Sequence, residues 1–259
     1  MSFRDILVYL DPTPASEIRL EVAIGLARTH GARIIGVDAS TDAAFLGVWS
    51  KTAIEIGDRF QEAMKAAKLI GQFIGETGRQ NAALPDYSHC VDLLIGPRPE
   101  GETRDLVQPY VPDEALLRAG APVLILPQDW KPGPLGENVV IAWNASREAT
   151  RAIHDALPLL KTAKKVVIFA FSSGHSNLRS SAERLSDHLL QHGVTAIVSD
   201  WTNTGDITAV EALFASLDTQ DADLIVAGAF GHARTFEGLF GSVSLDLLKQ
   251  PSLPVLMSH

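Results

Sequence analysis

The sequence Asp223-Leu-Ile-Val-Ala-Gly-Ala-Phe-Gly231 decides the fold, because a short apolar run passes directly into a loop marked by glycines. The run is typical of a buried parallel strand, and the loop continues to Gly241-Ser242-Val-Ser244 before a helix predicted over Ser242 to Gln250. Glycines let the backbone approach an anion, and the N–H groups and dipole of a helix N-terminus attract it. The Ser242 and Ser244 hydroxyls add donors. This order suits phosphate binding, although glycines that only shape turns of an α/β fold would give the same spacing.

Apolar runs alternate with helical patterns along the rest of the chain. Continuous apolar strands indicate parallel sheets covered on both faces. The turn-rich linker over 128–136 separates a predicted first domain, 1–130, from a second, 136–259. In the first domain we expect strands at 6–10, 33–38, 91–96 and 122–127, and helices at 16–30, 52–78 and 112–119. In the second we expect strands at 138–143, 165–171, 194–201, 224–227 and 253–257, and helices at 146–160, 178–192 and 206–217, the last capped by Asp206.

The two halves repeat one another weakly. Ile6-Leu-Val-Tyr-Leu-Asp11 aligns with Val139-Val-Ile-Ala-Trp-Asn144, and the strand that begins near Asp92 aligns with the one after Asp223. Only about a dozen residues separate the long helix of the first half from Val91, so a βα unit is predicted to be missing or reduced there. The first half also lacks the glycine signature, because Pro97 follows Gly96 and a proline cannot donate an N–H to phosphate.

Composition restricts the class of partner. The chain has 259 residues and a net charge of −9, which disfavours binding to nucleic-acid backbones. Cys90 is the single cysteine, so an internal disulfide is excluded and a reducing compartment fits; we expect Cys90 in the core or in a strand. The sequence begins without a secretion signal, and no apolar run approaches about 18 residues. We therefore expect a cytoplasmic location and no membrane or nucleic-acid partner.

The pattern Gly-x2-Gly-x9-Gly-Ser after Asp-Leu-Ile-Val-x-Gly resembles the nucleotide-binding signature of the universal stress protein (UspA-like) family. The wording Gly228-Ala-Phe-Gly-His-Ala-Arg234 is also similar to that family's. The resemblance implies an α/β chain of two doubly wound open parallel-sheet domains in tandem, adenine-nucleotide alpha-hydrolase-like or Rossmann-like. The first domain is expected to be degenerate and the second complete.

The resemblance also implies a site at the carboxyl ends of the second domain's strands. Ala142 and Asn144 correspond to positions that hold base and ribose, Phe171 to one that packs on adenine, and Gly228 and Gly231 to the ribose and phosphate loop. The full predicted set is Ala142, Asn144, Phe171, Ala227, Gly228, Gly231, Gly241, Ser242, Val243 and Ser244. Asn144 departs from the family's usual acid, which the first half keeps as Asp11. His232 and Arg234 either face a phosphate or are solvated loop residues.

Three functions fit these patterns. The first is a stress-response regulator that binds an adenine nucleotide, ATP with or without Mg²⁺, and changes conformation or protein partner. The second is a scaffold of the same fold without nucleotide. The third is an enzyme, but no residue stands out as a general base, so at most weak ATPase activity is expected. Val123 to Leu126 is expected to pair with Leu253 to Met257 in an intramolecular pseudo-dimer, with a homodimer as a further option.

A further pattern in the sequence concerns metals. His188 and His192 have the i, i+4 spacing of metal ligands on a helix. No third ligand is evident from the sequence, so a solvated helix face is the favoured interpretation, and no metal site is predicted.

Overall fold

The computed structural model describes residues 2–38, 51–75, 87–97, 119–172, 178–202, 207–229, 247 and 253–258. These residues form two compact units, Ser2–Pro132 and Gly133–His259. The helices predicted at 112–119 and 242–250 lie outside the described residues, apart from Ala119 and the helical Leu247.

The first unit contains one parallel sheet with the strand order β3-β2-β1-β4-β5. Helix α1 packs on β1 and β4, and α2 packs on β3 and β2. Strands β1, β2, β4 and β5 are almost wholly buried, as their continuous apolar sequences require, whereas the edge strand β3 is half-buried with Gln72 exposed. Its elements are β1 (Asp5–Leu10), α1 (Pro14–His30), β2 (Arg33–Asp38), α2 (Lys51–Ala67), β3 (Gly71–Ile74), β4 (Leu93–Pro97) and β5 (Val123–Leu126).

The second unit repeats this topology with the order β10-β9-β6-β7-β8, again fully parallel. Because β6→β7 and β7→β8 run the same way across the sheet, right-handed crossovers place α3 and α4 on one face and α5 on the other. Its elements are β6 (Asn138–Trp143), α3 (Arg147–Leu160), β7 (Lys165–Ser172), α4 (Leu178–Gln191), β8 (Ala196–Thr202), α5 (Ala209–Gln220), β9 (Leu224–Gly228) and β10 (Val255–Ser258). The predicted fold class, two doubly wound open parallel sheets, is confirmed.

The first unit departs from the sequence prediction after its second helix. Helix α2 ends at Ala67 rather than at Gly78, because Lys68 takes a left-handed conformation with φ of 56°. The apolar residues that follow form β3, whose Gly71 lies so close to Phe60 and Met64 that a Cβ would sit 2.5 Å from Met64 Cγ. The strand of the βα unit that was predicted to be missing or reduced is therefore present, whereas residues 76–86, where the helix of that unit would follow, lie outside the described residues.

Two smaller predictions were also wrong. Helix α5 is capped by Thr208 rather than by Asp206, which lies outside the described residues. Thr208 Oγ1 accepts a hydrogen bond from Glu211 N at 3.2 Å, and the Glu211 carboxylate accepts one from Thr208 N at 2.7 Å, which completes a capping box. Cys90 is exposed in a turn before β4 rather than buried in the core or in a strand.

Each unit ties the start of its first strand to a carboxylate at the start of its fourth. Asp92 Oδ2 accepts hydrogen bonds from Arg4 N at 2.7 Å and Asp5 N at 3.0 Å. Asp223 accepts three, from Gly136 N at 2.7 Å, Glu137 N at 3.1 Å and Asn138 N at 3.0 Å. Burial raises the pKa of Asp223, and these three hydrogen bonds oppose the shift. This arrangement, in which a carboxylate holds the start of the first strand, is called the bracket below. Because both units contain a bracket, the weak sequence repeat is also a structural repeat.

Candidate functional site

The candidate site lies where the strand order of the second unit reverses. The chain leaves β6 toward β7 and leaves β9 toward β10, in opposite directions, although β6 and β9 are neighbours. A sheet of this kind opens a crevice at such a switch point, beyond the carboxyl ends of the strands. Ala142 on β6 lies in register with Ala227 on β9, so Asn144 and Gly228 follow at the same edge. The structure thus brings these four predicted residues together.

Asn144 organises the turn between β6 and α3. Its Oδ1 accepts a hydrogen bond from Ser146 N at 3.1 Å, and Ala145 between them has a left-handed φ of 59°. Ser146 is the N-cap of α3, because its Oγ accepts a hydrogen bond from Ala149 N at 3.1 Å. The side chain of Asn144 therefore has a local structural role, which places the N-terminus of α3 at the switch point.

Gly228 is in direct contact with the first turn of α3. A Cβ at this position would lie 2.5 Å from Ala149 N and 2.7 Å from the carbonyl carbon of Glu148. Both are backbone atoms, so the contact has no flexible side chain that could yield. Only glycine allows the end of β9 and the start of α3 to approach this closely. The glycine that begins the predicted signature therefore has a packing role of its own.

The remaining predicted residues differ in what the structure describes. Phe171, near the end of β7, is 3% exposed and pairs in register with Trp201 on β8. Ala227 is buried, and Ala142 and Asn144 are half-buried. The predicted loop residues Gly231, Gly241, Ser242, Val243 and Ser244 lie outside the described residues, as do His232 and Arg234. The described part of the site is thus the strand edge and the helix N-terminus.

The corresponding edge of the first unit carries a buried ion pair. Asp11, after β1, accepts a hydrogen bond from Thr13 N at 2.7 Å, so it makes the same side-chain contact to the backbone two residues on as Asn144, although Pro12 replaces the left-handed Ala145. Arg19 of α1 forms an ion pair with Asp11 and donates from Nε to Tyr9 O at 3.0 Å. The Arg19 and Asp11 side chains are only 3% and 1% exposed. Burial lowers the pKa of Arg19, and the Asp11 carboxylate opposes that shift.

Comparisons with known proteins give a clear result for the fold. No model of a protein family matches the sequence, and no curated protein matches it. Among solved structures, a universal stress protein from Archaeoglobus fulgidus matches with a TM-score of 0.73 at 18% identity, covering 97% of both chains. The chain has the universal stress protein fold. A Pseudomonas aeruginosa UCBPP-PA14 protein described as a universal stress protein matches with a TM-score of 0.62 at 17% identity, covering 98% of this chain and 92% of its own.

Within this universal stress fold the two units differ at matched positions. Helix α1 buries Ser16, Arg19 and Ala23, and α3 buries Ala149, Ala152 and Ala156 at the equivalent places. The charged pair of the first unit is therefore replaced in the second by neutral Asn144 and a small alanine. Sequence reasoning missed Arg19, although its spacing from Ser16 and Ala23 places a cation on the buried face of α1. A cation at such a position requires an acidic partner.

The described residues also bear on a membrane role. Among the described helices, none combines the length and the apolar character that crossing a membrane requires.

Proposed function

We propose that the second unit binds an adenine nucleotide, ATP with or without Mg²⁺, at the β6–β9 switch point. The observation that carries this proposal is the convergence of three features there: the Asn144 turn, the N-terminus of α3, and Gly228 in contact with that N-terminus. The helix N-terminus contributes partial positive charge toward an anion. The glycine-rich stretch that resembles the family signature follows β9 immediately in the sequence.

The neutral side chain of Asn144 shapes the expected affinity. An amide oxygen accepts a hydrogen bond from a ribose hydroxyl more weakly than a carboxylate does, because charge-assisted hydrogen bonds are stronger. The difference between the two kinds is about 1 kcal/mol, or roughly a factor of five. We therefore propose nucleotide binding that is weaker than an acid at this position would give. The first unit is not proposed as a site, since Arg19 pairs with Asp11 and Pro97 follows Gly96 in β4.

The proposed role of nucleotide binding is regulatory. In a cytoplasmic stress response, bound ATP would change the conformation of the chain or its choice of protein partner. The family resemblance of the glycine loop supports this role, and so does the fold. Membership of the universal stress protein family is proposed on the same grounds.

The first experiment is mass spectrometry of any nucleotide that co-purifies with the chain, followed by calorimetric titration with ATP, with and without Mg²⁺. Binding in the micromolar range, about −8 kcal/mol, is expected. The double variant Gly231→Val/Gly241→Val is expected to abolish the heat of binding without changing the far-UV circular dichroism spectrum. Gly25→Ala is a matched control, because Gly25 lies on α1 with no heavy atom within 4 Å of a Cβ.

A second experiment addresses the site more directly. Asn144→Asp is expected to tighten ATP binding by about fivefold, because it supplies a charged acceptor and can still accept the hydrogen bond from Ser146 N, as Asp11 accepts one from Thr13 N. A variant of the first unit, Asp11→Asn/Arg19→Met, is expected to leave ATP affinity unchanged. If Asn144→Asp had no effect on a measurable affinity, the ribose would not lie at the end of β6.

A scaffold without nucleotide is the second candidate function. It is favoured by a specific observation: Gly228 is required by its contact with α3, and Asn144 by its turn, so neither needs a ligand to explain it. Under this alternative no nucleotide co-purifies and ATP gives no heat. Measurable ATP turnover that the glycine variants remove would instead indicate an enzyme.

A further inference from the structure

Three histidine rings from two helices meet on one face of the second unit. His154 belongs to α3, His188 belongs to α4, and His192 directly follows the last residue of α4. The His188 and His192 ring centroids are 4.7 Å apart. The His154 centroid lies 5.4 Å from that of His188 and 6.4 Å from that of His192. The third imidazole, which the sequence alone did not reveal, is thus supplied by the neighbouring helix.

The fold explains why these rings meet. Helices α3 and α4 belong to the crossovers β6→β7 and β7→β8, which run in the same direction, so the two helices lie side by side on one face of the sheet. His192 lies in the turn that ends α4, where its N–H donates to Leu189 O at 2.9 Å, and this places its ring beside that of His188, four residues earlier. His154 and His188 are exposed and His192 is half-buried, so solvent reaches the group. This group of three is called the histidine cluster below.

The spacing of the histidine cluster is close to that of imidazoles around a metal ion. Zinc–nitrogen bonds of about 2.0–2.1 Å in tetrahedral geometry place the ring centroids roughly 5 Å apart. As they stand, no three His, Cys, Asp or Glu side chains of the described residues are arranged to hold a metal. His154 and His188 are stacked, with 16° between their planes, so their nitrogens do not converge. Coordination therefore requires rotation about the side-chain torsions, and the two stacked rings, His154 and His188, are both exposed.

We propose that the histidine cluster binds one divalent transition-metal ion of the zinc class and thereby ties α3 to α4. Imidazole nitrogens suit zinc, copper and nickel, and three imidazoles leave a fourth position for water. A metal held by both helices would restrain their relative movement, which a pair of histidines on α4 alone would not do.

The groups around the cluster have two opposite effects on metal binding. The pKa of His192 is lowered by partial removal from water, and further by His188, Lys161 and His154, which favours the neutral ring that a metal requires. Lys161 is a cation near the cluster, and it repels a metal ion that approaches.

The test uses the full chain without a histidine tag, stripped with EDTA and titrated with Zn²⁺ against a chromogenic chelator. One equivalent of Zn²⁺ is expected to bind, and Co²⁺ is expected to give the visible absorption of a tetrahedral site. His154→Gln and His188→Gln are each expected to weaken Zn²⁺ binding at least tenfold, since even outer partners of a ligand contribute this much. Both side chains are exposed, so the variants are expected to fold.

His30→Gln is the matched control, because His30 packs on Phe3 in the first unit and has no place in the cluster. It is expected to bind Zn²⁺ as the unaltered chain does. Absence of stoichiometric binding by the unaltered chain would overturn the proposal. Equal affinity in His154→Gln would overturn it as well, because the ion would then be held by α4 alone.

A separate measurement tests whether the metal bridges α3 and α4. Zn²⁺ is expected to raise the melting temperature of the unaltered chain in a concentration-dependent way and to slow hydrogen exchange in α4. His154→Gln is expected to lose both effects. Zinc binding that left exchange in α4 unchanged would show that the metal does not bridge the helices.

Discussion

The buried pair of Asp11 and Arg19 gives the sharpest prediction about the first unit. Arg19→Met keeps most of the volume of the side chain and removes its charge. It leaves the Asp11 carboxylate 1% exposed without its cation, and it removes the hydrogen bond to Tyr9 O. Asp11→Asn has the opposite effect, because it leaves a buried guanidinium without an anion. The double variant removes both charges and resembles the neutral arrangement of Asn144 and Ala152 in the second unit.

The expected magnitudes follow from the burial of the pair. Loss of one partner from a buried ion pair costs about 3–5 kcal/mol, because the remaining charge stays in apolar surroundings. With a urea m value of about 2 kcal/mol per molar, each single variant is expected to lower the unfolding midpoint of the first unit by about 1.5–2.5 M. The double variant is expected to lie within about 1 kcal/mol of the unaltered chain, since neutral replacement of a buried pair is often tolerated.

The assay is urea unfolding followed by far-UV circular dichroism, with Arg28→Met as the matched control. Arg28 is an exposed arginine of the same helix, and its replacement is expected to change stability by less than about 0.5 kcal/mol. The reasoning would be refuted if Arg19→Met shifted the midpoint no more than Arg28→Met, or if the two single effects simply added in the double variant.

Three further predictions concern single contacts. Gly228→Ala is expected to destabilise the second unit by about 1–3 kcal/mol in thermal melting, because its Cβ would meet backbone atoms, whereas Gly25→Ala is expected to stabilise by up to about 1 kcal/mol. Thr208→Ala is expected to cost about 1 kcal/mol at neutral pH. Hydrogen bonds from the backbone and then the side chain of Thr208 lower the pKa of Glu211 below its ordinary 4.5, so the part of the capping box that the Glu211 carboxylate provides is present above pH 4.5 and is lost as pH falls through the lowered value. Asp223→Asn is expected to cost about 2 kcal/mol in urea unfolding, because one oxygen of a three-bond acceptor becomes a donor; an unchanged midpoint would show that the bracket does not stabilise the unit.

The sequence predicted the strands well because their apolar runs are continuous and bounded by turn residues. It failed at β3, since Leu69, Ile70, Phe73 and Ile74 continue the helical spacing of α2. What ends the helix is the left-handed backbone at Lys68, and what places the strand is the close packing of Gly71 on Phe60. Neither has a local signal, because both depend on contacts made only after the chain folds.

The sequence predicted only those parts of the candidate site that follow from equivalent positions in the two halves. The repeat placed Asn144 and Asp11 at equivalent strand ends, but it did not show that Arg19 of α1 pairs with Asp11, eight residues earlier in the chain. The sequence indicated only two members of the histidine cluster, through the spacing of His188 and His192. Its third member lies on another helix, and only the crossover geometry brings His154 beside them.

The Asp223 bracket has a consequence for how the chain folds during synthesis. The N–H groups of Gly136, Glu137 and Asn138 precede their acceptor by 87, 86 and 85 residues. β6 is the middle strand of its sheet, yet its start cannot be fixed until Asp223 has left the ribosome, several seconds later at ordinary rates of synthesis. The first unit fulfils the same condition as soon as Asp92 emerges. Arg4 precedes Asp92 by 88 residues, so the central strand of each unit waits for its carboxylate for a similar time, and a chaperone that binds apolar strands has a comparable interval in both.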